Sequence, residues 1–362
     1  MQNRYIDELL LYEVSKMKVK AGVLEKPMVF GIKEMEIPEP GPDEILVKTK
    51  AVGICGSDVH YYVEGKIGPY VVNEPLILGH ETAGEVAKVG KDVKHLKPGD
   101  RVALEPGVPS TCSDFVKKGL YNLCPSIKFF ATPPVHGTFS EYFVHSANFA
   151  YKLPNHVSYE EGAMCEPLSV GIHAVRQANV TLGSTVLITG AGPIGLVNLL
   201  VAKAAGASTI IMVETYENRV KVATQIGATH TIQSFDREKI IAQVMEITND
   251  KGVDVVIECS GAASAAQTAA SCLANGGTMV FVGLFSQDQV PMDLNLIAQK
   301  ELTFKGIFRY RNTYETAINL IASGHINVKP LITKRFPWEQ VSDAMNCAHK
   351  EASSQIKVMT QW

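Results

Sequence analysis

The stretch TVLITGAGPIGLVNLL, residues 185–200, limits the fold more than any other part of the chain. Gly190, Gly192 and Gly195 form G-x-G-x-x-G directly between an apolar strand-like run and a helical one. In that setting the spacing is a dinucleotide-binding loop rather than a chance match. Gly190 supplies the tight turn, Gly192 lets a pyrophosphate approach the backbone, and Gly195 lets the helix pack on the strand. Pro193 and Ile194 open that helix, whose positive end faces the phosphates. The bland alternative is an ordinary strand-to-helix turn, and the acid that closes the next strand weighs against it. Glu214 ends TIIMVE, 19 residues after Gly195. A carboxylate there accepts from both adenosine ribose hydroxyls and repels a 2′-phosphate, which favours NAD over NADP. Arg219, five residues further on, either flanks the adenine or softens that selectivity.

Around the loop, residues 181–306 alternate apolar strands with Ala-rich helical stretches: STVLITG, LVNLLVAKAAG, TIIMVE, RVKVATQIG, VDVVIECSG, TMVFVGL. Strand alternating with helix predicts a doubly wound parallel sheet covered on both faces. Residues 17–152 have a different texture, short strands punctuated by Gly and Pro, as in PEPGPDEILVKTKAVGICG and HLKPGDRVALEP. Such spacing of turn signals predicts a compact β-rich domain with long functional loops. After Phe308 come TYETAINLIASG and short pieces ending in IKVMTQW. About 55 residues are a poor independent domain, so this tail is expected to pack back on the first region. The boundaries expected are 17–166 and 307–362 for the split β-rich part, 167–306 for the nucleotide part, and 1–16 for an extension. Within the extension, Ile6, Leu9, Leu10 and Val14 fit one apolar face of a short helix or a frayed end.

Composition excludes several classes. A formal net charge of −3 gives no basic field for a nucleic-acid backbone. Residues 177–202 carry no ionisable charge, but Gly190, Gly192, Pro193 and Gly195 in their midst argue against a membrane span. The opening MQNRYIDELLLYEVSKM breaks its apolar run with acids and does not read as a signal peptide. Seven scattered cysteines do not make a disulfide framework, so reduced thiols in a cytosol are expected.

LILGHETAGEV places His80 beside Glu81. Successive side chains of a strand point to opposite faces, so both serve one site only if the backbone turns there, which Gly79 and Gly84 permit. The alternative is a surface charge pair. AVGICGSDVHYY puts Cys55, Ser57, Asp58, His60 and Tyr61 in one glycine-flanked loop. Cys55 and His80 are candidate zinc ligands, a catalytic zinc needing three protein ligands and one open position; a lone buried Cys is otherwise inert core.

Through GICGSDVHYY, LGHETAGEVAKVG, HLKPGDRVALEPG, YNLCPS, ATPP, EPLSVGIHA, TGAGPIGLV, VGL and GIFRYRNTY, the chain resembles the zinc-dependent medium-chain dehydrogenases, in their sorbitol or polyol dehydrogenase branch. The resemblance spans nearly everything after Met17. It implies an α/β protein with a β-rich GroES-like catalytic domain and a doubly wound Rossmann domain. It also implies zinc held by Cys55, His80 and Glu81, with Glu166 close through water or as an alternating ligand. Simple alcohol dehydrogenases carry a Cys at the Glu166 position, so the carboxylate points to the polyol branch.

A second, structural zinc in this family uses four cysteines. The matching positions here are Ser110, Ser113, Val116 and Cys124, with Cys112 out of register, so one zinc per chain is expected.

The chemistry implied is NAD-linked oxidation of a sugar-alcohol hydroxyl, sorbitol to fructose or xylitol to xylulose. Zinc lowers the pKa of bound water from about 15.7 to about 7, and a bound alcohol responds in the same direction. By resemblance Ser57 and His60 relay the proton and Glu166 orients the zinc-bound water. Arg309 and Tyr310 are placed at the substrate, with Tyr61 and Glu166 on the opposite wall and Phe129 and Thr132 completing it. A surface cation is the alternative for Arg309. Val282, Gly283 and Leu284 are expected to face the nicotinamide, with Ile307, Phe308 and Arg309 nearby. His136 stands where relatives often have an acid, so the outer rim is expected to differ. Relatives form tetramers, and a homotetramer is carried over with them. The rival readings are a butanediol-type diol dehydrogenase and a dinucleotide-binding protein without turnover.

Overall fold

Apolar residues fill both faces of the strands in the middle region, and the computed structural model, described for residues 16–362, shows why. Six strands run in the order His230–Gln233, Thr209–Glu214, Thr185–Thr189, Val253–Glu258, Leu273–Phe281, Thr303–Gly306, every pair parallel. Helices Pro193–Ala204, Glu217–Ile226, Arg237–Ile247, Ala263–Ser271 and the short Leu294–Gln299 lie in the crossovers. Leu187, Ile188, Ile211 and Val256 are fully buried between them. Each such side chain contributes roughly 1.5–3 kcal/mol relative to exposure. The uncharged run that a hydropathy scan flags is the end of one helix, the strand Thr185–Thr189 and the helix Pro193–Ala204. Among the described residues no helix is long and apolar enough to cross a membrane.

The β-rich part centres on a seven-stranded sheet in the order Ala150–Lys152, Arg101–Leu104, Glu81–Val89, Glu44–Gly53, Lys357–Gln361, Ile332–Pro337, with Tyr142–Ser146 also on Glu44–Gly53. The C-terminal strand therefore sits inside a sheet begun some 300 residues earlier, between Glu44–Gly53 and the edge strand Ile332–Pro337, Met359 opposite Gly53 and Gln361 opposite Ala51. Residues 166 and 167 lie within one continuous helix, Cys165–Ala178, that links the two sheets. The helix expected around Ile6, Leu9, Leu10 and Val14 lies outside the described residues.

Two local expectations change. The segment GSDVHYYVE is a helix, Gly56–Glu64, rather than a loop, closed by Gly65 in the left-handed conformation. Cys55 is its N-cap, and Asp58 reaches back to the Cys55 amide at 2.9 Å, as in a capping box. Of the two glycines flanking His80 and Glu81, only Gly79 turns the chain, at φ +90. Gly84 is an ordinary strand residue whose missing Cβ leaves room for the Lys48 carbonyl, 2.5 Å from where that atom would stand.

Candidate active site

Two chain segments build the donor cluster. Cys55 heads the helix Gly56–Glu64, His80 follows the Gly79 turn, and Glu81 opens the strand Glu81–Val89. One ligand atom from each lies within 4.8 Å of the others. Glu81 is directly opposite Gly53, where any Cβ would stand 2.1 Å from Glu81 Oε2. His80 and Glu81 are buried and Cys55 is half-buried.

The donor set is a thiol, an imidazole and a carboxylate, as at a catalytic zinc with an open position. Asp58 supplies what the sequence reading missed: fully buried, it accepts from the Gly79 amide at 2.9 Å and lies 3.6 Å from His80 Nδ1. That ring nitrogen is buried without a hydrogen-bond partner. A carboxylate on the Nδ1 side favours metal binding through the other ring nitrogen. These residues fit a zinc ion.

Lys357 is the second missed residue. Its ammonium, 2% exposed, donates to both Glu81 oxygens at 2.5 and 2.6 Å and to the Ile54 carbonyl at 3.0 Å. Burial opposes its charge, but Glu81 and then Cys55 hold it above the ordinary lysine value. A lysine inside the apolar run IKVM was the available signal, since lysine is almost never fully buried unless paired.

Glu166, in the first turn of helix Cys165–Ala178, is buried and accepts from the Tyr310 hydroxyl at 2.8 Å. Burial raises its carboxyl above the ordinary range; His80 pulls it down and Glu81 pushes it up. Tyr310 and Glu166 thus share one wall instead of facing each other across the site. Arg309 is no surface cation. Its guanidinium lies 3.7 Å from the Phe129 ring centre and 4.7 Å from that of Phe308, and it donates to Thr132 Oγ1 at 3.4 Å. Tyr61 is buried beside Arg309 and Thr132, and desolvation pushes its hydroxyl up to about 12.

Phe129, Thr132, Phe308 and Arg309 line a cleft of about 430 Å³ with Tyr70 and Asn122. Asn122 holds the returning segment in place, donating to the Phe308 carbonyl at 2.8 Å. His136 is exposed beside the cleft-lining Pro133, Pro134 and Val135, and its Nδ1 accepts from the Ile77 amide at 3.3 Å. Ser57 is half-buried on its helix; His60 is 56% exposed, 3.8 Å from Glu64. Cys112 is exposed, and Cys124 is buried with Sγ 3.4 Å from Ser126 Oγ.

At the second site Gly190 takes φ +82, and a Cβ on Gly195 would stand 1.8 Å from the Gly190 carbonyl oxygen. A Cβ on Gly192 would meet nothing closer than Arg219 Nη1 at 3.7 Å, so that face of the loop is open to a ligand. Glu214 accepts from the amides of Ala191, Thr215 and Tyr216 at 2.8, 2.6 and 3.0 Å, and Arg219 Nη1 is 3.8 Å away. Gly190, Gly192, Glu214 and Arg219 line a cavity of about 330 Å³. Tyr216, Phe235 and Ser260, which the sequence reading did not single out, line it too. Val282, Gly283 and Leu284 follow the strand Leu273–Phe281, and Ile307 and Phe308 follow Thr303–Gly306, beyond the crevice on the side away from Glu214. The crevice lies at the topological switch point of the sheet, where a dinucleotide fits.

A three-residue metal-donor cluster together with a doubly wound domain is the combination of a metal-dependent dehydrogenase. Residues 41–155 match the alcohol dehydrogenase GroES-like domain family and residues 193–323 the zinc-binding dehydrogenase family. Sorbitol dehydrogenase of Rattus norvegicus is 48% identical over 93% of this chain and 94% of its own length. Among solved structures, 2R,3R-butanediol dehydrogenase of Bacillus subtilis superposes with a TM-score of 0.87 at 32% identity, covering 95% of this chain and 99% of that one. A zinc-binding dehydrogenase of Sinorhizobium meliloti solved with NADP bound gives 0.87 at 31%, covering 96% and 100%. The chain belongs to the zinc-binding dehydrogenases, in the sorbitol dehydrogenase family.

Proposed function

We propose that this chain oxidises a secondary hydroxyl of a sugar alcohol to the ketone, reversibly, with NAD and one zinc ion, sorbitol to fructose and xylitol to xylulose being the leading pairs. The carrying observation is the cluster of Cys55, His80 and Glu81 beside the Glu166–Tyr310 pair and the sandwiched Arg309. Identity to sorbitol dehydrogenases at 48% over 93% of the chain supports the same class of substrate.

When bound, zinc supplies Lewis-acid polarisation of the substrate hydroxyl, and NAD supplies the hydride acceptor. Cys55, His80 and Glu81 hold the metal. Glu166, one oxygen taken by Tyr310, keeps its other oxygen to orient a water or hydroxyl above it. Arg309, Tyr61 and Thr132 offer polar groups to the remaining hydroxyls of the substrate, with Phe129 as the wall behind. The proton leaves through Ser57 and then His60, whose exposure puts it in touch with solvent. Gly190, Gly192 and Gly195, with Pro193 and Ile194, hold the diphosphate. Glu214 and Arg219 bind the adenosine end, and Val282, Gly283, Leu284, Ile307 and Phe308 bind the nicotinamide end.

The structural likeness to a butanediol dehydrogenase favours a second reading, oxidation of short vicinal diols. NADH absorbance with sorbitol, xylitol, iditol, galactitol and 2,3-butanediol separates the two. A site built to hydrogen-bond several hydroxyls favours the polyols in kcat/KM by roughly two orders of magnitude or more. A preference for butanediol, or no turnover of any polyol, contradicts the first reading.

One neighbour binds NADP, so cofactor choice needs its own test. Glu214→Ala is expected to narrow the NAD over NADP preference in kcat/KM by at least about tenfold, roughly 1.4 kcal/mol. An unchanged ratio would remove Glu214 from the discrimination.

We divide the chain into a catalytic part, 17–166 and 307–362, around a nucleotide part, 167–306; the pairing of Lys357–Gln361 with Glu44–Gly53 supports that division. The seven free cysteines fit a reducing cytosol. A homotetramer is part of the proposal, and light scattering of the purified protein checks it.

A further inference from the structure

Behind Thr189 and Ser260, which line the nucleotide crevice, sits a carboxylate that the proposed reaction does not use. Glu258 ends the strand Val253–Glu258 and is fully buried. Its Oε1 accepts from Thr189 Oγ1 at 3.2 Å, from the Ser260 amide at 2.8 Å, from the Gly261 amide at 3.0 Å and from Ser260 Oγ. Oε2 accepts from the Gly261 amide again, at 3.2 Å. One side chain is thus bonded both to the residue before the glycine loop and to the turn on the crevice's other wall. Its backbone oxygen also accepts from the Val282 and Gly283 amides, at 2.9 and 3.0 Å.

The three segments meeting at Glu258 approach too closely for side chains. A Cβ on Gly190 would stand 3.1 Å from Ser260 Cα, and one on Gly261 would stand 2.3 Å from the Leu284 carbonyl oxygen. One on Gly283 would stand 2.4 Å from the Gly261 amide and 2.7 Å from Glu258 Oε2. Ser260 and Ala262 share the cavity lining with Gly190, Gly192 and Glu214, so moving the turn changes the width of the crevice. Without the carboxylate, the amides of Ser260 and Gly261 lose their acceptor, and a turn with unpaired backbone donors shifts to find others.

We propose that Glu258 is a positioning residue for dinucleotide binding, its carboxylate pinning the 260–261 turn against Gly190 and so setting the distance between the glycine loop and the opposite wall. This rests on the reading of the crevice as the NAD site. Glu258 acts through Ser260 and Gly261, not on the reacting atoms. A side chain that only stabilised the fold would lower the melting temperature when removed and leave the affinity of the folded molecules unchanged.

The test measures NADH affinity by fluorescence titration well below the melting temperature, for the parent, Glu258→Ala and Glu258→Gln, with zinc content and thermal melting recorded beside it. Glu258→Ala is expected to weaken NADH binding roughly tenfold or more with zinc content unchanged. Glu258→Gln, which keeps one acceptor oxygen for Ser260 and Gly261, is expected to recover most of that loss. If Glu258→Ala does not fold, a Glu258→Gln affinity weakened by less than roughly tenfold together with Ser260→Ala weakened in the same direction supports the proposal. Parent-like affinity in Glu258→Ala, or in both Glu258→Gln and Ser260→Ala, overturns it. A parent protein that binds neither NADH nor NADPH overturns the cofactor reading itself, a result separate from any difference among the variants.

Discussion

Cys55→Ala is expected to yield a folded protein that retains NADH affinity, contains no tightly held zinc and has lost turnover. Cys55 supplies the only thiol of the three-residue donor group and is half-buried, while His80 and Glu81 are buried. Removing it leaves two ligands, too few to hold a catalytic ion at an open site. Metal assistance contributes several kcal/mol of charge stabilisation, and at about 1.36 kcal/mol per tenfold turnover falls by roughly three orders of magnitude or more. The Cys55 amide still donates to Asp58, so the helix cap survives the substitution. Metal analysis, NADH fluorescence and steady-state rates on one preparation check all three outcomes. Turnover within tenfold of the parent would remove the metal from the mechanism.

Lys357→Met is expected to cost stability on a comparable scale. The ion pair with Glu81 is buried on both sides, 2% and 1% exposed, and all three ammonium hydrogens are used, two on Glu81 and one on the Ile54 carbonyl. Removing one partner of such a pair leaves an uncompensated buried charge and costs about 3–5 kcal/mol, whereas replacing both by well-packed groups is far cheaper. Glu81→Gln combined with Lys357→Met is therefore expected to melt above Lys357→Met alone in metal-free protein. Zinc is expected to narrow that gap by giving Glu81 a cation again. Chemical denaturation with and without chelator measures both effects, and equal stability of the parent and the single variant would show that the pair carries no such load.

The parts of this architecture that were legible in the sequence are those set by neighbours in the chain. Gly190 and Gly195 announced a strand, a turn and a helix because the steric demand that fixes them, a left-handed turn and a helix packed on a carbonyl, acts within six residues. The alternation of strand and helix carried the parallel sheet for the same reason. Cys55, His80 and Glu81 were found through their motifs and the family resemblance, and the structure brings them together across two segments.

What escaped depends on partners far away or on a local competition. Lys357 lies 276 residues from Glu81, and nothing near it reveals which carboxylate it meets. Asp58 shows no role in the sequence, because its place beside His80 exists only once Gly79 folds over the helix cap. The helix Gly56–Glu64 read as a loop: glycines flank it, its cap is a cysteine, and β-branched and aromatic residues crowd its middle. Gly84 looks like a turn residue in sequence, whereas its lack of a side chain answers a neighbouring strand.

Elemental analysis of the purified, active protein before and after chelation reaches the central claim most directly. About one zinc per chain is expected, with polyol oxidation lost as the metal is stripped and restored when zinc is returned. A metal-free preparation that oxidises polyols at full rate and ignores chelators would contradict it.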